Sequence, residues 1–213
     1  MECEEKGVWA SKALASIVDK NPEILDKVIE DVEYLTKGLK SLSGKARLRR
    51  YWSMMMGCVE EDLDDFKRGY SETISCTKGC NHCCHAKVDI SKEEASFYSY
   101  LIKKGRWYNK EELKFQTEAN MEEEDYINDP RPCIFLKDGL CSIYEHRPAA
   151  CRKYFVVSKP EDCRLRPNAP PVLSPPLIRS EILYSAYSKV MGEDFGSMPL
   201  MIDRALKGEF RNK

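Results

Sequence analysis

The 213-residue chain is rich in charge, with 32% Asp, Glu, Lys and Arg, yet its formal net charge is only −1. That balance gives no general pull toward nucleic acid or an anionic membrane surface, and no run of about 18 apolar residues exists to make a transmembrane helix. The opening Met1-Glu2-Cys3-Glu4-Glu5 lacks the basic flank and apolar stretch of a signal peptide, so a cytoplasmic location is expected.

The first seventy residues read as helix. Asn21-Pro22 offers an N-cap followed by proline, and Leu25, Val28, Val32, Leu35, Leu39 and Leu42 then recur at steps of three and four. Ser43-Gly44 breaks the pattern. A second long helix follows, with Leu48, Trp52, Met55, Val59, Leu63, Phe66 and Tyr70 on one face. The two are expected to form an antiparallel hairpin over residues 1–70. Its stripes read first as core and second as a surface for a protein partner, because so short a heptad run is not stable alone. On the second helix, Lys45, Arg47, Arg49 and Arg50 lack the interleaved aromatics of a nucleic-acid site. Glu60, Glu61, Asp62, Asp64 and Asp65 read as a solvated face rather than a metal site.

A cysteine-rich segment occupies 71–166. Within it Ser91-Lys92-Glu93-Glu94 is a capping box that opens a helix to about Lys103, and Asn109 with Glu112 repeats the pattern. The acidic run Glu122-Glu123-Glu124-Asp125 leads to Asp129-Pro130-Arg131-Pro132, which must be loop. The last segment, 167–213, holds a proline-rich linker, an amphipathic helix carrying Ile178, Ile182, Tyr184 and Tyr187, and a shorter helix from about Pro199 to Lys207. No internal repeat is visible and nothing alternates strand with helix, which argues against a Rossmann fold or a TIM barrel. The expected class is all-α: a helical bundle with an irregular, cysteine-rich, metal-stapled central region, the three segments together making one compact unit.

Chemistry concentrates in the cysteines. Eight of the ten, Cys76, Cys80, Cys83, Cys84, Cys133, Cys141, Cys151 and Cys163, fall in the central segment. In a reducing compartment such clustering points to metal ligands or redox groups rather than disulfides. Thiolates are soft donors suited to zinc, Cu(I) and iron–sulfur clusters, and a site normally takes four. The step Cys80-x2-Cys83 lets one tight turn aim two sulfurs at a centre, with Gly79 supplying backbone freedom and Cys76 within reach. In an extended chain Cys84 would point away from Cys83 and serve a second centre or act as a redox thiol. Eight thiols allow two four-thiolate sites, or one site with spare thiols. All three histidines, His82, His85 and His146, also lie in this region, each more readily a surface or supporting residue than a ligand. Lys78, Arg147 and Arg152 would offset thiolate charge. Cys58, inside a helical pattern, reads as a small buried hydrophobe, and Cys3 as part of a frayed terminus. The spacing Cys76-x3-Cys80-x2-Cys83 also matches the radical S-adenosylmethionine cluster motif. That family needs an α/β barrel this chain cannot build, and His82 stands where an aromatic is usual.

Cys76-x3-Cys80-x2-Cys83-Cys84, followed by Pro132-Cys133-x-Phe135-Leu136…Gly139-x-Cys141-x-Ile143-Tyr144-Glu145-x-Arg147-Pro148-x2-Cys151-Arg152, resembles the YkgJ family of bacterial and archaeal cysteine cluster proteins, which are zinc- or iron-chelating domains. The resemblance covers about 76 to 163 and leaves the flanking helices unaccounted for. It implies metal binding, with zinc or a [4Fe-4S] cluster in one or two centres. It is distantly shared with flagellin lysine N-methylase, which implies methyl transfer at an iron–sulfur cluster as an alternative. No substrate or methyl-donor motif stands beside it. A third reading is an adaptor whose N-terminal helices bind a partner.

Overall fold

The computed structural model describes residues 12–210, so Cys3 lies outside the described residues. Within them, nine α-helices and two pairs of short antiparallel strands fall into two compact units, and the mostly-α class is as expected. No helix among the described residues is long and apolar enough to cross a membrane.

The first unit joins the chain up to Glu72 with Pro175–Glu193. It holds α1 (Lys12–Lys20), α2 (Leu25–Lys40), α3 (Gly44–Gly69) and α8 (Ile178–Met191). Asn21 does not cap the helix ahead of it. Its Nδ2 donates to Ile17 O at 2.9 Å and closes α1, while Pro22–Ile24 forms a 3-10 turn into α2. The α2 stripe is buried at Leu25, Val28, Val32 and Leu39. The α3 stripe is rotated from the expected one: Tyr51 and Asp62 are buried where Trp52 and Leu63 were expected, and Tyr70 is exposed. The cause is α8. Both long helices pack on it more extensively than on each other, so the expected two-helix hairpin is instead a bundle built on α8. That helix is buried on nearly every side, through Ile182, Leu183, Ala186 and Tyr187 but also Ser180, Ser185 and Ser188. Tyr187 stacks on Tyr51 with ring centroids 3.7 Å apart.

The buried Asp62 explains the rotation. Its carboxylate accepts from Arg179 N (3.2 Å), Ser180 N (2.9 Å) and Ser180 Oγ (2.7 Å), and so caps α8. Arg179 also pairs with Glu61 and Asp65, so this stretch is a partnered face rather than a merely solvated one. Arg47 donates to Leu42 O from both Nε and Nη2 and holds the turn between α2 and α3.

The second unit comprises Thr73–Ser174 with the chain from Asp194. In chain order it holds β1 (Asp89–Ser91), α4 (Lys92–Lys103), α5 (Lys110–Glu118), α6 (Glu123–Asn128), β2 (Leu136–Lys137), β3 (Leu140–Cys141), α7 (Ala149–Arg152), β4 (Phe195–Ser197) and α9 (Met198–Lys207). The capping box is present as read: Ser91 Oγ accepts from Glu94 N at 3.1 Å, and Glu94 Oε2 accepts from Ser91 N at 3.1 Å. Asn109 caps α5 by accepting from Glu112 N. Glu112 does not return the bond but holds Arg131 and Gln116. The acidic run is itself helical from Glu123, since carboxylates in a first turn complement the helix dipole. β1 pairs with β4, Ile90 opposite Gly196, which brings α9 onto α4 and α5 over a core including Ile90, Tyr98, Phe135, Met201 and Ile202.

Candidate metal centre

The cysteine segment has little regular structure, and main-chain hydrogen bonds hold it in place. Gly79 takes a φ of +90°, which favours glycine, and lets Cys80 N turn back to Thr77 O at 3.1 Å. Asn81 then starts a 3-10 turn over His82–His85, with Cys84 N donating to Asn81 O at 2.9 Å. Cys83 and Cys84 are therefore not on extended chain. On a 3-10 turn consecutive side chains lie about 120° apart.

Three strips of chain close around this turn. Ser75 N donates to Val156 O at 2.9 Å and lays Cys76 beside residues 156–157. Cys133 N donates to Cys84 O at 2.7 Å, and Asn81 Nδ2 to Gly139 O at 3.1 Å, so the β2–β3 hairpin folds against the turn. The 3-10 turn Pro160–Cys163 packs on His82–His85, and Arg164 Nε donates to His82 Nδ1 at 3.3 Å. Helices anchor the strips in turn. Gln116 donates to Pro132 O beside Cys133, Tyr98 Oη to His146 O, and Ala149 N to Glu94 Oε1, which fixes the one-turn α7 that carries Cys151.

The cysteine-bearing strips thus meet at this turn, and none of the described cysteines is in a disulfide. Burial pushes most of these thiols up: Cys133 to about 12, Cys163 to about 11, and Cys76, Cys141 and Cys151 above the usual thiol range. Cys83 runs the other way, to about 7, because the Cys84 S–H holds its thiolate. Backbone N–H groups also face sulfur, that of Val156 at Cys76, of Phe135 at Cys133 and of Ile143 at Cys141, and each favours the thiolate. Arg147 acts in the same sense on Cys76, Cys83, Cys141 and Cys151. Its guanidinium stacks 4.0 Å from the Tyr144 ring, and its buried Nε has no hydrogen-bond acceptor.

Among the described residues, no three His, Cys, Asp or Glu side chains already close on a single point. The donor chemistry nevertheless suits a thiophilic metal: eight free thiols on strips that meet at one turn, main-chain N–H groups beside three of them, and the half-buried Arg147. His146 packs edge-on against Phe97, with centroids 5.5 Å apart, and His85 Nδ1 lies 3.3 Å from Asn81 O. Each histidine thus already has a neighbour of its own. Sequence reasoning missed Tyr154, which burial and then the charge of Cys163 push up to about 12. No motif marks it. Cys58 belongs to the first unit, half-buried on α3 and pushed up to about 11 by burial and by Asp62.

Among protein-family models, residues 75–170 match CxxCxxCC, described as "Putative zinc- or iron-chelating domain". No curated protein and no solved structure matches the chain.

Proposed function

We propose, on the premise that residues 75–170 belong to the family of YkgJ-type cysteine cluster proteins, that this protein binds a thiophilic metal through Cys76, Cys80, Cys83, Cys84, Cys133, Cys141, Cys151 and Cys163, and that the metal sets the fold of the second unit. One observation carries the reading: the Cys133–Cys141 hairpin, residues 156–157 and the turn ending at Cys163 each bond to or pack on the 75–85 segment, which itself carries four cysteines. A metal held by thiols from these separate strips would cross-link them, so binding free energy becomes folding free energy. A zinc ion would supply a structural cross-link, and an iron–sulfur cluster would add one-electron chemistry.

The test is metal and acid-labile sulfide content on protein purified without oxygen, together with a visible spectrum. Iron and sulfide in equal amounts with a broad band in the blue establish a cluster. Zinc in a colourless sample establishes a structural site. Absence of both metals overturns the reading. Replacing Cys80 or Cys83 by Ala is expected to lower both metal content and melting temperature, and a variant that keeps both would count against the proposal.

A further inference from the structure

The chain-wide charge balance hides one local excess. The run Lys103-Lys104-Gly105-Arg106-Trp107-Tyr108-Asn109-Lys110 carries four cations and two aromatic rings with no carboxylate. The basic run on α3, from Lys45 to Arg50, has cations without such interleaved rings until Tyr51, which is buried. Here both are present.

Local chemistry fixes the shape of this loop within the second unit. Gly105, at a φ of +91°, ends α4 in a Schellman motif: Gly105 N donates to Ile102 O at 2.9 Å and Arg106 N to Leu101 O at 3.0 Å. The chain is then tied to the segment that carries the β2–β3 hairpin. Arg106 Nη1 donates to Ser142 O at 3.2 Å, and Ser142 Oγ donates to Trp107 O at 3.0 Å. Asn109 N donates to Ile134 O at 2.7 Å. Lys137 of β2 sets its ammonium 5.5 Å from the centre of the Trp107 ring, and Lys104 stands 5.8 Å from that of Tyr100 on α4. Trp107 and Tyr100 still remain 37% and 55% exposed. Lys104, Arg106 and Lys137 are thereby held beside two exposed rings, with Lys103 and Lys110 next to them in the chain.

Among the described residues none of these five cations pairs with a carboxylate, although Glu111 and Asp138 adjoin them in sequence. By contrast Lys87, Lys92, Lys114, Arg131, Arg204 and Lys207 of the same unit each have a carboxylate partner. Unpaired cations on a fixed loop suit an anionic ligand, and the rings among them select its kind. An acidic peptide would engage the cations and leave the rings idle. A duplex keeps its bases stacked within itself. A single strand engages both, its phosphates on the cations and its bases on the rings. We propose that this loop binds single-stranded nucleic acid: Lys104, Arg106 and Lys137 hold phosphates, Lys103 and Lys110 add to the attracting field, and Trp107 and Tyr100 stack on bases.

The experiment titrates the full chain, as purified with its metal, against labelled single strands of RNA and of DNA about 12 nucleotides long, read by fluorescence anisotropy. Binding to either supports the site, and a preference for RNA assigns a contact to the 2′-hydroxyl. The logarithm of the binding constant is expected to fall against that of salt with a slope of about −3, as for four or five phosphates neutralised. Lys104→Gln/Lys110→Gln is expected to reduce that slope by about 1. Trp107→Ala is expected to weaken binding about 10-fold, and Trp107→Phe to restore most of it. Should Trp107→Ala fail to fold, Tyr100→Ala takes its place, and the wild-type salt slope needs no variant. Lys45→Gln/Arg49→Gln on α3 is expected to bind as the wild type does. An equal loss in that control, or equal affinity for a duplex, reduces the effect to unspecific charge and overturns the proposal. Binding only to vesicles containing phosphatidylserine, or only to a polyglutamate peptide, overturns it in favour of a membrane or an acidic protein. Failure to bind any of these probes overturns it outright and leaves the metal-chelating reading standing.

Discussion

At the scale of single residues, Cys83 behaves differently from the shifted thiols around it. Cys84 beside it holds the Cys83 thiol down to about 7, while burial raises Cys133, Cys151 and Cys163. Reactivity follows the thiolate. Brief alkylation of metal-free protein at neutral pH should therefore label Cys83 ahead of Cys133, Cys151 and Cys163, as read by peptide mass spectrometry, and metal should protect it. Cys84→Ala removes the donor and should slow that labelling. Arg147 is the other residue with a specific expectation. Its charge acts on four of the thiols, and its buried Nε has no acceptor, which suits an N–H···S bond once a thiolate moves inward. Arg147→Gln should weaken metal retention by about 10- to 100-fold in chelator competition, the usual cost of removing a group that supports ligands. Arg147→Lys should recover part of the loss through charge alone. Equal retention in all three proteins would remove Arg147 from the site.

At the scale of elements, the sequence is legible where local chemistry decides and opaque where partners do. Ser91 and Glu94 announce α4, and the structure has both halves of the box, because a capping box needs nothing beyond four neighbouring residues. The α3 stripe was misread by one position in two places. Asp62 looks like a surface carboxylate until Arg179 and Ser180, more than a hundred residues away, supply the donors that bury it. One signal was present and unread. Asp138-Gly139 between short apolar runs is a two-residue hairpin signature, and both residues take positive φ, 50° and 76°. The hairpin positions Cys133 and Cys141, so Gly139 is a specific target. An added Cβ would strain the backbone and stand 3.2 Å from Asn81 Nδ2. Gly139→Ala should destabilise the second unit by about 1 kcal/mol or more, as for other side chains forced into positive φ. It should also lower metal retention in chelator competition. Unchanged metal content at every cysteine and an unchanged melting temperature would show that the hairpin does not position the site.

At the scale of the whole molecule, the metal's influence should stop at the boundary between units. The first unit has its own apolar core around α8, with Val32, Tyr51, Met55 and Tyr187 buried and Asp62 capping the central helix. The second unit gathers its cysteine strips mainly through main-chain bonds, which carry little net stability without a partner for the buried thiols. Chelation should therefore raise amide hydrogen exchange across 73–174 and leave α2, α3 and α8 protected. The alkaline behaviour of the metal-free form follows from the same thiols. Six of them, Cys76, Cys84, Cys133, Cys141, Cys151 and Cys163, have raised pKa values in the fold, against an ordinary value of 9.0, and only Cys83 is lowered. The folded chain then keeps its protons after the unfolded chain has lost them, so stability falls as pH rises from 9.0 through about 12, where Cys133 titrates. Bound thiols are already deprotonated, so metal-loaded protein should lack this alkaline loss and instead lose metal as pH falls. Melting temperature against pH, with and without metal, separates the two. Parallel curves for the two forms would mean that the buried thiols are not the groups the metal holds.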